Sequence, residues 1–180
     1  MKTTLFVILL SFSSSFFGQS FAQSFEQEAA LLSKDLKQNL VKNLTDKMQQ
    51  DGTIPALEFC HINVSALAKT AAGERMANLE FGRTSHKVRN PKNAAAEWML
   101  PYLDQFKVTN IKSPAKPVVH QFKDGKKAYL DPLYVGPQCM TCHGSPAKEL
   151  SAKVMALYPE DKAVGFKLGE FRGMIWIKEK

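Results

Sequence analysis

The residues with the clearest chemical potential are two cysteines and a histidine in the run Cys139-Met140-Thr141-Cys142-His143. Thiols at this spacing lie one helical turn apart, so both can reach the two vinyl groups of a single haem. The histidine that follows directly can place its imidazole on the iron. The spacing is a signature of c-type haem attachment. It predicts one covalent haem, with thioether bonds to Cys139 and Cys142 and with His143 as the proximal iron ligand.

Two other kinds of site could use the same residues. Cys60 together with Cys139, Cys142 and His143 could form a Cys3His zinc site, although sequence neighbours such as Cys142 and His143 rarely both reach one small ion. A thioredoxin-like redox pair would follow a strand near the start of a βαβ unit, whereas this pair lies late in the chain. A zinc-binding structural protein therefore stays open as an alternative of another class.

The third cysteine is left without a partner if the other two are bonded to haem. The candidates for the sixth iron position are Cys60, His61, His86, His120 and several methionines. Cys60 falls on the apolar face of a predicted helix, near its N-terminal end, where the helix dipole favours a thiolate. His61 points about 100° away, towards the polar face. The residues alone also allow Cys60 to be a small buried packing residue.

The N-terminal segment has the plan of a secretory signal peptide. Lys2 precedes an apolar run at residues 5–10, and a Ser- and Phe-rich stretch then ends at Ala22. The run is too short for a membrane anchor, which needs about 20 apolar residues. We expect cleavage after Ala22, a periplasmic location, and a mature domain of residues 23–180 with no membrane span.

The mature segment has the length of one ordinary domain and carries excess positive charge. The whole chain has a formal charge of +7, to which Lys2 of the leader contributes one positive charge. The lysines are dispersed, which is typical of a solvated surface. They could also steer the protein towards an acidic partner protein. We expect no nucleic-acid partner for an exported chain without an Arg-rich stripe.

Hydrophobic periodicity predicts helices first and antiparallel strands later, which is an α+β pattern rather than βαβ alternation. The predicted helices cover residues 26–50, 53–72, 94–106 and 145–158. One β-hairpin is expected around Asp124-Gly125, from residues 118–122 and 128–133. A second is expected around Gly169-Glu170, from residues 164–168 and 171–177. Residues 81–93 are expected to be an irregular connection, with Asn93 capping the next helix.

Several longer strings resemble a known family. They are Arg83-Thr84-Ser85, Arg89-Asn90-Pro91 with Asn93, Trp98, the Cys139 to Gly144 run, and residues 165–173. Together they cover most of residues 25–179 and resemble the Tll0287-like haem family of exported c-type haem domains. The resemblance implies a PAS-like α+β fold in which the motif histidine and a cysteine on an early helix ligate the haem iron. Carried over to this sequence, these ligands are His143 and Cys60.

The stretch from Arg83 to Asn93 could contact the haem edge or its propionates. Arg83 and Arg89 are suited to this because a guanidinium binds a carboxylate through two parallel hydrogen bonds. A structural loop with surface arginines is an equally good interpretation of the same residues.

A thiolate ligand stabilises ferric iron, so the predicted couple has a low potential. The first hypothesis is one-electron transfer with a separate redox partner that presents an acidic docking surface. The second is a haem-based redox or small-ligand sensor in which Cys60 is displaced. No kinase or cyclase segment follows before Lys180, so a sensor would need a separate partner. We expect no enzymatic activity, because no acid, base or nucleophile constellation accompanies the haem motif.

Overall fold

The computed structural model describes residues 24–73 and 77–180, with only the backbone described at residues 60–68 and 71. The predicted signal peptide, Met1 to Ala22, lies outside these residues. Within them, no helix combines the length and apolar character that crossing a membrane requires.

Two long helices open the described part of the chain. α1 spans Phe25–Asp51 and α2 spans Thr53–Ala72. The Ser24 and Gln27 side chains each accept a hydrogen bond from the other's backbone N–H, which satisfies two donors at the start of α1. Gly52, at φ 88°, ends α1 in a conformation that favours glycine. Both helices match the predicted bounds closely.

The rest of the fold is built on a four-stranded antiparallel sheet. Its strands are β1 (Leu79–Thr84), β2 (Val118–Gln121), β3 (Lys127–Tyr134) and β4 (Phe171–Glu179). Their order across the sheet is β1-β4-β3-β2. The last strand therefore lies between the first and third, and the four-stranded sheet is complete only when the C-terminal segment is in place. The α+β class expected from the sequence is confirmed.

Helices cover both faces of the sheet. On one face, Leu32 and Leu36 of α1 pack against Tyr129, Ile175 and Ile177. On the other, the short helix α3 (Leu100–Lys107) packs Leu103 and Phe106 against the sheet, where it meets Leu130, Phe171 and Met174. Alternate residues of β3 and β4 thus point to opposite helices, as the two-residue period of a strand requires.

A buried polar link fixes α1 on the sheet. The Ser33 hydroxyl donates to Asp131 Oδ2 over 2.7 Å, and Lys37 Nζ lies 2.6 Å from Asp131 Oδ1. Lys37 Nζ also donates to the Pro132 carbonyl over 3.2 Å. Asp131 is 9% exposed, so its charge depends on these partners rather than on water. The link sets the axial position of α1 on β3.

The predicted irregular connection at residues 81–93 is wrong in its first part, because Phe81 to Thr84 belong to β1. Gly82 is one of these strand residues. It pairs with Trp176 of β4, and a Cβ at this position would lie 2.5 Å from the Trp176 ring. The glycine is needed because the indole covers the backbone of the neighbouring strand.

The helix predicted at residues 94–106 is shorter and broken. Two 3₁₀ turns, Pro91–Asn93 and Glu97–Met99, precede α3. The side chain of Asn90, not Asn93, accepts the capping hydrogen bond, from the Lys92 N–H. Ala94 to Ala96 have high helix propensity, but their extended backbone carries the chain between the two turns.

The second predicted hairpin is also wrong, since residues 164–168 form no strand. Two of their backbone N–H groups donate to carbonyls near the Cys139 to His143 run instead of to a neighbouring strand. Gly165 N–H donates to the Gly144 carbonyl over 2.8 Å, and Phe166 N–H donates to the His143 carbonyl over 2.9 Å. β4 instead pairs with β1 and β3. The first hairpin, β2 with β3, is confirmed. The helix predicted at residues 145–158 is α5, which spans Lys148–Leu157 and so begins three residues later than predicted.

We expect Asp131→Ala to lower the free energy of unfolding by about 2–3 kcal/mol, because it leaves the Ser33 hydroxyl and the Lys37 ammonium without their buried acceptor. The matched control is Asp46→Ala, which removes an exposed Asp–Lys pair with Lys42 on α1 and should change stability by no more than about 0.5 kcal/mol. Urea titration of both variants measures the difference. Equal effects would show that the buried link adds nothing.

Candidate functional site

The Cys139 to His143 run follows β3 and forms two short helical turns. Pro137–Cys139 is a 3₁₀ turn and α4, Met140–His143, continues it. Gly144 ends α4, and its N–H donates to the Met140 carbonyl over 2.9 Å. A Cβ at Gly144 would lie 2.8 Å from that carbonyl oxygen. The chain can therefore turn away directly after the histidine only because position 144 is glycine.

The two cysteines are free thiols, both half-buried, and they adjoin different apolar clusters. Cys139 packs beside Val135 and Phe166. Cys142 packs beside Leu57 of α2 and the α5 cluster. Burial raises the pKa of the Cys142 thiol, an effect that the nearby Arg89 charge opposes. At neutral pH Cys142 is therefore a protonated thiol.

His143 is held in one tautomer by a backbone acceptor. Its Nδ1 lies 2.7 Å from the Ala163 carbonyl oxygen. A carbonyl can only accept, so Nδ1 carries the proton and the lone pair is left on Nε2. Burial, aided by the charges of Arg172 and Arg89, lowers the pKa of His143 to about 3. The side chain is thus a neutral imidazole with Nε2 as its basic atom, which is the form that ligates metals.

The loop of residues 161–166, here called the bracket loop, holds α4 from the side. Gly165 and Phe166 bind the Gly144 and His143 carbonyls through the two backbone hydrogen bonds described above. The Phe166 ring meets the His143 imidazole edge to face, with centroids 6.3 Å apart. These contacts fix both the backbone and the ring plane of His143.

Arg89 ties the bracket loop to α4. Its Nη2 donates to the Cys142 carbonyl over 2.7 Å and to the Ala163 carbonyl over 3.3 Å. Its Nε donates to Asp161 Oδ1 over 3.2 Å, and Nη2 lies 3.1 Å from Asp161 Oδ2. The Asp161 side chain is only 1% exposed. One guanidinium therefore connects the residue before His143, the acceptor of His143 and a buried carboxylate.

Three arginines concentrate positive charge beside His143. Burial first, then the charges of Arg83 and Arg89, lowers the pKa of Arg172 to about 10. The Arg172 guanidinium lies 5.0 Å from the centre of the Phe166 ring, a cation–π contact. Arg83 is exposed, while Arg89 and Arg172 are half-buried. Such a group suits a ligand that carries carboxylates.

Cys60 lies on α2, but its side chain is outside the part that the structure describes, and so is that of His61. The backbone nevertheless gives its place. Position 60 is three residues after Leu57, about 4.5 Å along the helix axis, and Leu57 packs in the same cluster as Cys142. Glu58 Oε1 lies 2.5 Å from Lys153 Nζ, so an ion pair also links this part of α2 to α5.

The other two histidines differ in their surroundings. His120 is half-buried in an aromatic cluster, stacked on Trp98 at 5.1 Å, with Nδ1 2.8 Å from the Tyr102 hydroxyl. His86 is exposed, but its ring stacks on Phe171 at 5.6 Å and meets Phe166 edge to face at 5.7 Å. His86 therefore lies closer to the site than its sequence position suggests.

Four contributors to the site were missed by sequence reasoning: Asp161, the Ala163 carbonyl, Phe166 and Arg172. Phe166 and Arg172 do fall in the closing string of residues 165–173 that carries the family resemblance. Asp161 and Ala163 lie in no motif, and a backbone carbonyl has no sequence signature. Among the side chains that are described, no three His, Cys, Asp or Glu residues converge as a metal-ion cluster. Cys60 is not among them, so the Cys3His alternative is untested.

Comparison with known proteins gives one consistent result. The family model Tll0287-like, described as Tll0287, matches residues 18–179. The fold is similar to that of the cyanobacterial heme-protein Tll0287, with a TM-score of 0.64 and 25% sequence identity, covering 83% of this chain and 91% of that chain. Comparison with curated proteins finds no match. The resemblance seen in the sequence is confirmed.

The neutral state of His143 predicts that the free energy of unfolding depends on pH. The prediction is made for a chain in which serine replaces Cys139 and Cys142, so that no haem can be attached. Unfolded His143 takes up a proton below about pH 6.5, whereas folded His143 stays neutral to about pH 3. The unfolded state then binds more protons, so stability falls as the pH falls through this window, by up to roughly 1.4 kcal/mol per pH unit.

Denaturant unfolding at about pH 7 and about pH 5 measures this loss. His143→Gln in the same serine background is the matched control and should show a smaller loss. Because burial also lowers the pKa of His86, some of the slope should persist. An identical slope in the two chains would contradict a neutral, buried His143.

Proposed function

The chain belongs to the Tll0287-like family, and from this premise we propose that it is an exported c-type cytochrome carrying one covalent haem. Cys139 and Cys142 would form the thioether bonds, and His143 would ligate the iron. The single observation that carries the proposal is the hydrogen bond between His143 Nδ1 and the Ala163 carbonyl, 2.7 Å long. It leaves Nε2 of a neutral imidazole as the metal-binding atom, in the same short helical run as two free thiols.

The chemistry of the three side chains fits haem attachment. Both cysteines are half-buried rather than sealed in the core, so a porphyrin edge can reach them. Ligands to iron must be deprotonated, and the lowered pKa of His143 meets that requirement without competition from protons. The hydrogen bond at the second ring nitrogen is the usual outer-shell support for a histidine ligand.

Cys60 is the proposed second axial ligand. Its support is positional, because α2 brings the turn before it, at Leu57, into the cluster that contains Cys142. When bound, the haem supplies a one-electron iron couple, and a thiolate ligand gives that couple a low potential.

The arginines are proposed to receive the haem propionates. Arg83 is exposed next to the site, and its positive charge and that of Arg89 act on the half-buried Arg172. Arg89 uses Nε and Nη2 for Asp161 and the two carbonyls. Its Nη1 has no hydrogen-bond partner among the described residues and could face the haem edge or a propionate. Carboxylates suit this group, since guanidinium–carboxylate pairs are strong and directional.

We propose electron transfer as the role, with a separate acidic partner protein and without enzymatic activity. The excess positive charge of the chain supports such docking. The periplasm is the proposed location, after cleavage of residues 1–22, and residues 23–180 form the haem domain. A PAS-like relation of the sheet to sensor domains is part of the family resemblance and stays a prediction.

The first test is a visible and electron paramagnetic resonance spectrum of the protein exported from a host that attaches c-type haem. Wild type should carry one covalent, low-spin haem with a thiolate signature, and Cys60→Ala should abolish that signature while keeping the haem. Matched controls are His86→Ala and His120→Ala, which replace the two other candidate histidines whose side chains are described and should leave the spectrum unchanged. Replacing Cys139 and Cys142 together by serine should abolish covalent attachment.

Each alternative has its own outcome in this experiment. An unchanged spectrum in Cys60→Ala would show that Cys60 is a packing residue. A changed spectrum in His86→Ala would instead indicate that His86, in the loop after β1, is the axial ligand. Zinc bound in place of haem by wild type would support the Cys3His alternative and refute the cytochrome proposal.

Electron transfer and sensing differ in ligand exchange. For an electron carrier, the spectrum of the reduced wild-type protein should not change when carbon monoxide is added, because Cys60 and His143 keep both axial positions. Cys60→Ala is the positive control, since loss of the side chain opens one position and should allow carbon monoxide to bind. Binding to reduced wild type as readily as to the variant would favour the sensor.

A further inference from the structure

Asp161 is a buried carboxylate whose two oxygens are both used inside the site. Oδ1 accepts from the Ala163 N–H over 2.8 Å and from Arg89 Nε over 3.2 Å, and Oδ2 lies 3.1 Å from Arg89 Nη2. A carboxylate that is 1% exposed is costly unless its partners are held in place. Asp161 thus fixes both the Arg89 guanidinium and the backbone at Ala163.

Arg89, oriented in this way, binds two carbonyl groups next to His143. Nη2 donates to the carbonyl of Cys142, the residue before His143, and to the carbonyl of Ala163, the acceptor of His143 Nδ1. The Ala163 oxygen therefore has two donors, and each of its two lone pairs is used. The cationic donor withdraws electron density from the carbonyl and makes it a weaker acceptor for the imidazole N–H.

We propose that Asp161 and Arg89 are positioning residues that set the orientation and electron-donating strength of His143 through the Ala163 carbonyl. The inference rests on the proposed function, because it concerns His143 as an iron ligand. A weaker Nδ1–H···O bond gives the imidazole less negative character and so stabilises ferric iron less. Outer-shell partners of ligating histidines are known to act in this way. The Arg89–Asp161 pair therefore raises the midpoint potential, whereas the proposed thiolate ligand lowers it by stabilising the ferric state.

The test uses the haem-loaded full chain and three variants. Arg89→Lys keeps the positive charge but cannot bind two carbonyls and a carboxylate in one fixed fork. Asp161→Asn keeps the size of the side chain but removes the charge that anchors Arg89. Lys162→Gln is the matched control, because it removes an exposed positive charge next to Asp161 without touching the contacts of Arg89. The readouts are the midpoint potential and the low-spin electron paramagnetic resonance signal.

A positioning role predicts that Arg89→Lys and Asp161→Asn both lower the midpoint potential and shift the low-spin signal in the same way, while Lys162→Gln leaves the signal unchanged. A purely electrostatic role predicts the opposite sign for Asp161→Asn, because loss of a negative charge near the iron raises the potential. That role also predicts no effect of Arg89→Lys. This second pattern, or no effect in either variant, would overturn the proposal.

Failure of the proposed function appears separately, as a wild-type protein without covalent haem or without a His/Cys signal. If Asp161→Asn attaches no haem because the buried pair is needed for folding, Arg89→Lys still decides, since it conserves charge and most of the volume. A wild-type potential and signal in Arg89→Lys would then show that the fork to Ala163 does not tune His143.

Discussion

The carbonyl oxygen of Ala163 accepts hydrogen bonds from His143 Nδ1 and from Arg89 Nη2, and the geometry of the site follows from this shared acceptor. It assigns the proton of the imidazole to Nδ1 and leaves Nε2 as the basic atom. The imidazole is neutral because burial and the charges of Arg172 and Arg89 lower its pKa, and the hydrogen bond to Ala163, which favours the protonated form, offsets only part of that effect. A side-chain acceptor could rotate away, whereas a carbonyl in a hydrogen-bonded loop cannot.

The bracket loop can serve this purpose because it is excluded from the sheet. Its N–H groups at Gly165 and Phe166 bind the carbonyls at the end of α4, so they are not available for a strand ladder. After four further residues, β4 begins at Phe171 and takes a central place between β1 and β3. The sheet therefore anchors the loop at its C-terminal end, and the position of His143 depends on a strand that the chain supplies last.

Sequence reasoning identified the parts of the site that depend on residue type and spacing. Cys139, Cys142 and His143 could be recognised because covalent attachment requires those side chains at that spacing, and α1 and α2 because amphipathic helices have a strong period. Asp161 and Ala163 could not, because one is an ordinary acidic residue in a loop and the other contributes only its backbone.

The failures in the strand assignments have a similar physical origin. Residues 81–84 were expected to be irregular, and the reason for a glycine at position 82 of β1 is apparent only from the Trp176 ring that covers it. Residues 164–168 alternate like a strand, but their hydrogen bonds go to a distant helix end. In both cases a tertiary partner overrides the local pattern. These partners are far away in the sequence, so no local window contains the information.

The charge balance of the site bears on what it binds. Arg172 is held at a pKa of about 10 by burial and by the neighbouring Arg83 and Arg89 charges, so assembling these arginines costs free energy in the chain alone. Asp161 offsets part of that cost, but it is committed to Arg89 and to the Ala163 N–H. A bound group with two carboxylates would offset the remainder. This is the charge that haem propionates carry, so the same arginines that oppose protonation of His143 favour the proposed cofactor.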